Sequence, residues 1–246
     1  WVSGDWAGAL ADYEQAAELY ERIGEVEGQA HVYTNLGVLY TDRGEWDKAE
    51  ENLHRALSVA QRLGQPYELA QGHLHLGRLH LFLERWCEAG EHLNAAAPLY
   101  AEAGVRAEAD LGQVYCWQGI LHLEQGRLDD AWQWVDRCGA VLRKSSGVED
   151  GDSIQWGRYE RLMGRIAMAG GDLDGAQRHL KRGMTIFQGR GAKLDVGRAA
   201  YWRGVLLLEV GQTGQGVEML HQARDVFENL GAGWDLQRVA RRLAQT

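Results

Sequence analysis

A glycine returns along this chain at Gly37, Gly77, Gly119, Gly164 and Gly204, at steps of 40, 42, 45 and 40 residues. A second series, Ala9, Ala49, Ala89, Ala131, Ala176 and Gly216, keeps the same register. A third, Gly24, Gly64, Gly104, Gly191 and Gly231, follows each later apolar run, with Ser145-Ser146-Gly147 where the missing member would fall. Between the markers the apolar residues have helical spacing. One helix pair cannot bury its own apolar face, so each pair needs a neighbour on both sides. Periods of this size specify a helical solenoid.

The second unit shows the pattern in full: Tyr33, Leu36-Gly37, Tyr40, a turn at Gly44-Glu45-Trp46, then Ala49, Leu53 and Ala56. This resembles the tetratricopeptide repeat family, with units longer by about six residues than its usual 34, roughly 9 Å of extra helix. The resemblance implies an all-α, right-handed superhelical solenoid of antiparallel helix pairs, with the first helix of each pair on the concave side. The expected units are about 4–26 (a second helix only), 27–64, 65–104, 105–147, 148–191 and 192–231, with a terminal helix at 234–246. A chain that opens on a second helix and closes on a first one is expected to be part of a larger protein.

Composition narrows the function. The net charge of −9 argues against direct nucleic-acid binding. The charge is uneven, with 7 basic and 17 acidic side chains in residues 1–104 but 14 basic and 9 acidic in 156–246. The C-terminal repeats can therefore attract an anionic ligand or acidic segment. Three cysteines without metal-like spacing or even pairing fit a reducing cytoplasm. No apolar run is long enough to cross a membrane, and no signal peptide is read.

Single residues refine the helices. Asp5 is placed to cap the first one, and Pro66 suits a helix start. Pro98 lies inside the run Ala89–Tyr100, where a kink or early fraying is expected. Trp6, Trp46 and Trp86 recur every 40 residues and are expected to pack against the preceding turn. The connection 144–154 is the longest, and its Asp150 and Asp152 lack the spacing of a calcium loop.

Motifs of catalysis are missing. The sequence has no G-x-x-x-x-G-K-[ST], H-E-x-x-H, C-x-x-C or G-x-S-x-G. Carboxylates are expected on helix exteriors. His73, His80 and His122 occupy aromatic places of the repeat and read as hydrogen-bonded core histidines. No enzyme activity, cofactor or metal is expected.

Counting back from each glycine gives the inner wall: Gln71, Leu74, His75 and Arg78; then Gln113, Cys116, Trp117 and Ile120; then Arg158, Arg161, Leu162 and Arg165; then Arg198, Tyr201, Trp202 and Val205. Arg158, Arg161 and Arg165 form a basic stripe, with Arg198 equivalent to Arg158. Arginine forks beside aromatic faces suit a carboxylate, phosphate or aromatic ligand. The candidate binding residues are therefore Gln71, Leu74, Arg78, Gln113, Cys116, Trp117, Arg158, Arg161, Arg165, Arg198, Tyr201 and Trp202. In the competing reading these arginines pair with Glu160 or Asp195 and the tryptophans pack between helices. Gln118, Glu160 and Arg203 replace apolar residues of the repeat, so those units either rotate or build a polar network.

Repeats of this length also resemble the sensor arrays of STAND signal-transduction ATPases, which implies an array that binds an inducer or partner and relieves autoinhibition. The alternative is a scaffold that holds an extended peptide, as in kinesin light chains. The expected partners are a peptide or protein segment, or a small anionic inducer, together with other domains of the parent protein.

Overall fold

The computed structural model describes residues 4–104, 108–146 and 153–246. Twelve helices and no strands occur among the described residues. In chain order they are α1 (Trp6–Ile23), α2 (Val26–Arg43), α3 (Trp46–Leu63), α4 (Pro66–Phe82), α5 (Trp86–Ala103), α6 (Glu108–Glu124), α7 (Leu128–Ser146), α8 (Ile154–Ala169), α9 (Leu173–Gly189), α10 (Lys193–Glu209), α11 (Thr213–Leu230) and α12 (Gly233–Leu243). Each even helix from α2 to α10 packs closely on the odd helix after it, and successive pairs stack into an all-α solenoid.

Local chemistry sets the helix ends. Asp5 accepts from Gly8 N–H at 2.9 Å and Asp172 from Gly175 N–H at 2.8 Å, each satisfying a free donor of the first turn. Gly44 ends α2 at φ 78, and its N–H returns to the Thr41 carbonyl. That left-handed position disfavours a residue with Cβ. The recurring glycine inside the first helices has another cause. A Cβ at Gly37 would stand 2.5 Å from Leu53 Cγ, and one at Gly164 the same distance from Leu180 Cγ. The leucine sixteen residues later therefore fills the space that the missing side chain leaves.

Pro98 does not end α5, which runs five residues further to Ala103. The connection expected at 144–154 lies largely outside the described residues, including Asp150 and Asp152.

The ends of the stack meet. Trp6 is buried in one apolar cluster with Ala199, Phe227 and Val239. The Trp234 ring of α12 stacks on Phe82 of α4, centroids 4.7 Å apart. A side chain at Gly233 would stand 2.6 Å from the Arg43 carbonyl oxygen. The concave side is thus enclosed by both ends of the chain instead of forming an open trough. Of the three recurring tryptophans, Trp46 lies against Gly44 of its preceding turn, Trp6 joins the C-terminal core and Trp86 lines a cavity.

Candidate binding site on the concave wall

Even helices supply the inner wall, because their small-residue stripe turns toward the odd helices and leaves the opposite stripe facing inward. Two cavities lie there. The inner one, of about 320 Å³, is lined by Asn35, Asp42, Gln71, Leu74, His75, Arg78, Tyr100, Asp110, Gln113, Arg158, Lys193 and Asp195, among others. The outer one, of about 450 Å³, opens past Trp86, Arg165, Tyr201, Trp202, Val205, Trp234 and Arg238. Trp117, Arg161 and Arg198 border both.

Eleven of the twelve residues expected on the inner wall line one or both of these cavities. Cys116 instead turns into the core, its Sγ 2.9 Å from Cys138 Sγ of α7. The sequence reading had no even pairing of cysteines. The fold brings these two together, and the contact and burial push the Cys138 thiol well up.

The arginines are compensated from within. Asp195 is buried and accepts from Arg161 Nη1 at 2.6 Å and Arg158 Nη2 at 3.3 Å. Burial opposes its ionisation, but the guanidiniums of Arg158, Arg161 and Arg198 outweigh it and hold its carboxyl well below the usual range. Arg198 Nη2 reaches Asp235 at 2.8 Å and Asp42 at 3.1 Å. Arg78 donates to Asp42, and both are buried. Arg165 Nη2 pairs with Glu124 at 2.5 Å, although burial still pushes the Arg165 guanidinium down to about 10. The expectation that carboxylates sit on helix exteriors fails for Asp42, Asp195 and Asp235. Each lies on an even helix, and a buried guanidinium needs a carboxylate within reach.

The polar departures each find a partner of their own. Glu160, 2% exposed, faces His179 Nδ1 at 2.7 Å and Arg182 at 3.4 Å. Gln118 Nε2 donates to Asn94 at 2.9 Å, and Arg203 Nη1 lies 3.0 Å from Met184 Sδ. His73 meets His92, Nδ1 to Nδ1 at 3.0 Å, while His80 stacks on His92. Burial lowers all three, His92 to about 4. His122 Nδ1 faces Asp130 at 3.2 Å. Among the described residues no group of three or more His, Cys, Asp or Glu is placed to hold a metal ion.

The sequence places a terminal helix at 234–246, where α12 lies, but no residue of it was expected on the inner wall. Arg238 lies over the rings of Tyr201, Trp202 and Trp234, at 4.6, 4.5 and 5.2 Å. Arg165 covers Trp202 at 4.3 Å. The signal was present, since Arg238 lies 40 residues after Arg198 and occupies the same repeat place.

Stacked helix pairs around a walled cavity define the class of helical-repeat domains. Tetratricopeptide repeat models match residues 1–62, 28–102 and 112–137, together just over half of the chain, and the chain belongs to that repeat family. No curated protein matches it in sequence. Solved structures share the fold. BtubC (BKLC) from P. vanneervenii is similar at 18% identity and TM-score 0.62, over 90% of this chain and 91% of that one. NprR in complex with its cognate peptide NprX is similar at 12% identity and TM-score 0.73, over 96% and 68%. A Rap protein complexed with Competence and Sporulation Factor is similar at 14% identity and TM-score 0.69, over 98% and 70%. No helix among the described residues is long and apolar enough to cross a membrane.

Proposed function

We propose that this chain is a non-catalytic binding domain whose concave wall takes a short peptide, a protein segment or a small anionic inducer. The observation that carries this reading is the wall itself. Arginines and aromatic rings from α4, α6, α8, α10 and α12 converge on two adjacent cavities. Cavities of this size suit a compact ligand more than a long extended chain, since α12 closes on α2 and α4. The likeness to NprR and Rap, both solved with a bound factor, supports a peptide or protein partner.

In the finer reading, the array is the cytoplasmic sensor of a STAND-type signalling ATPase that regulates transcription. Ligand favours one geometry of the superhelix over another, and the parent protein reports the change. Selection from a displayed peptide library tests the binding role. Selected peptides are expected to lose at least ten-fold in affinity on Trp202→Leu. Equal binding to that variant, at unchanged stability, places the ligand elsewhere and removes this reading.

A further inference from the structure

The arginines of the inner wall form a ladder. Arg158 pairs with Asp195 of the next repeat at 3.3 Å, and Arg198 with Asp235 of the next at 2.8 Å. Each pair joins residues 37 apart. Arg238 is the next rung, 40 residues after Arg198. Its guanidinium makes no ion pair with a carboxylate among the described residues, and three aromatic rings hold it in place. A guanidinium stacked on a ring keeps N–H groups free for an oxyanion.

Two further observations point into the same cavity. Arg165 is 9% exposed, yet its Nε has no hydrogen-bond partner, and neither has the buried Nε of Arg242. Both side chains line the outer cavity beside Arg238. An unmet buried donor is costly, so an acceptor delivered here is favoured. The wall also carries the apolar side chains of Trp86, Trp117, Ile120 and Val205, with the carboxylates of Glu84, Glu124 and Glu209 on the same lining. Trp86 is half-buried and carries no ring or cation on its faces among the described residues.

We propose that the outer cavity recognises an acid group attached to an aromatic ring. The carboxylate takes the Arg238 rung, with Arg165 and Arg242 as flanking donors, and the ring packs against Trp86 and Trp117. This rests on the concave-wall reading above and narrows its ligand to an aromatic carboxylate. Such a group comes either from a small free acid or from a peptide that ends in an aromatic residue.

Isothermal titration with N-acetyl-L-tryptophan tests it. Binding is expected, with at least a ten-fold loss for N-acetyl-L-tryptophanamide and none measurable for acetate. Arg238→Gln is expected to weaken the acid at least ten-fold. Arg238→Glu is expected to reverse the preference, so that tryptamine binds and the acid does not. A peptide ending in tryptophan that binds as tightly as the acid assigns the source to a chain terminus. Its exclusion, while the acid still binds, assigns a free small molecule. Equal affinity for acid and amide overturns the proposal, as does no binding of the acid at millimolar concentration. Peptides selected on the same protein would still report on the broader binding role, so the two failures are distinguishable.

Discussion

Arg198 reaches Asp42 across 156 positions of sequence, Nη2 to Oδ1 3.1 Å, and so ties the fifth first-type helix of the stack, α10, back to the first, α2. Asp42 also receives Arg78, and it is 2% exposed. Breaking a buried pair by removing one partner costs about 3–5 kcal/mol, because the other charge is left without compensation. Asp42→Ala is therefore expected to destabilise by about 3 kcal/mol in urea and to open the ring. Small-angle scattering should show a larger radius of gyration. The double variant Asp42→Leu, Arg78→Met should recover part of the stability but not the closure, since Arg198 still lacks its distant partner.

Gly37→Ala separates packing from helix propensity. Alanine is the better helix former, yet its Cβ would meet Leu53 at 2.5 Å. Overpacking of this kind costs about 1–3 kcal/mol. Gly214→Ala in α11 is the control, with nothing within 4 Å of the new methyl. It should stabilise by about 0.5–1 kcal/mol. Thermal melts of both variants against the parent chain give the signs directly.

Acid should weaken the fold through its buried histidines. Burial lowers His73, His80 and His92, the last to about 4, and His75 to about 3. The unfolded chain takes up protons near pH 6.5 while these rings stay neutral when folded. Their contribution is complete above about pH 7 and is lost as pH falls toward 4. The melting temperature should drop between pH 7 and 5, and His92→Gln should flatten that slope.

The thiols should divide into one reactive and two protected. Cys87 is exposed, whereas Cys116 and Cys138 are buried against each other. Under native conditions a thiol reagent should label Cys87 rapidly. The other two should react only on unfolding, because the thiolate is the reactive form and Cys138 is pushed up. Fast labelling of all three would contradict the packing of α6 on α7.

Much of this was legible in the sequence because each repeat solves the same packing problem. The spacing from Gly37 to Leu53 is the contact itself, so the helix pairs and the residues facing inward followed from counting. Gln71, Gln113, Arg158 and Arg198 share one place in successive units, and all four reach the cavities. Closure was not legible. Arg198 to Asp42 depends on the curvature summed over every repeat, which no single period records. The pairing of Arg158 and Arg161 with Asp195 was one of the two readings the sequence offered, and the structure shows it. The pair to Asp235 was hidden for a related reason, since Asp235 looks like an ordinary first-turn carboxylate until the neighbouring helix brings Arg198 to it.

The most direct measurement follows the indole signals of the ten tryptophans by nitrogen-15 NMR while a library-selected peptide is titrated in. Trp117 and Trp202 line the cavities, whereas Trp132 and Trp134 lie on α7 away from them. The concave-wall account predicts that the first two move and saturate together while the second two stay fixed. Shifts confined to Trp132 and Trp134 would put the partner on the outer helices and contradict it.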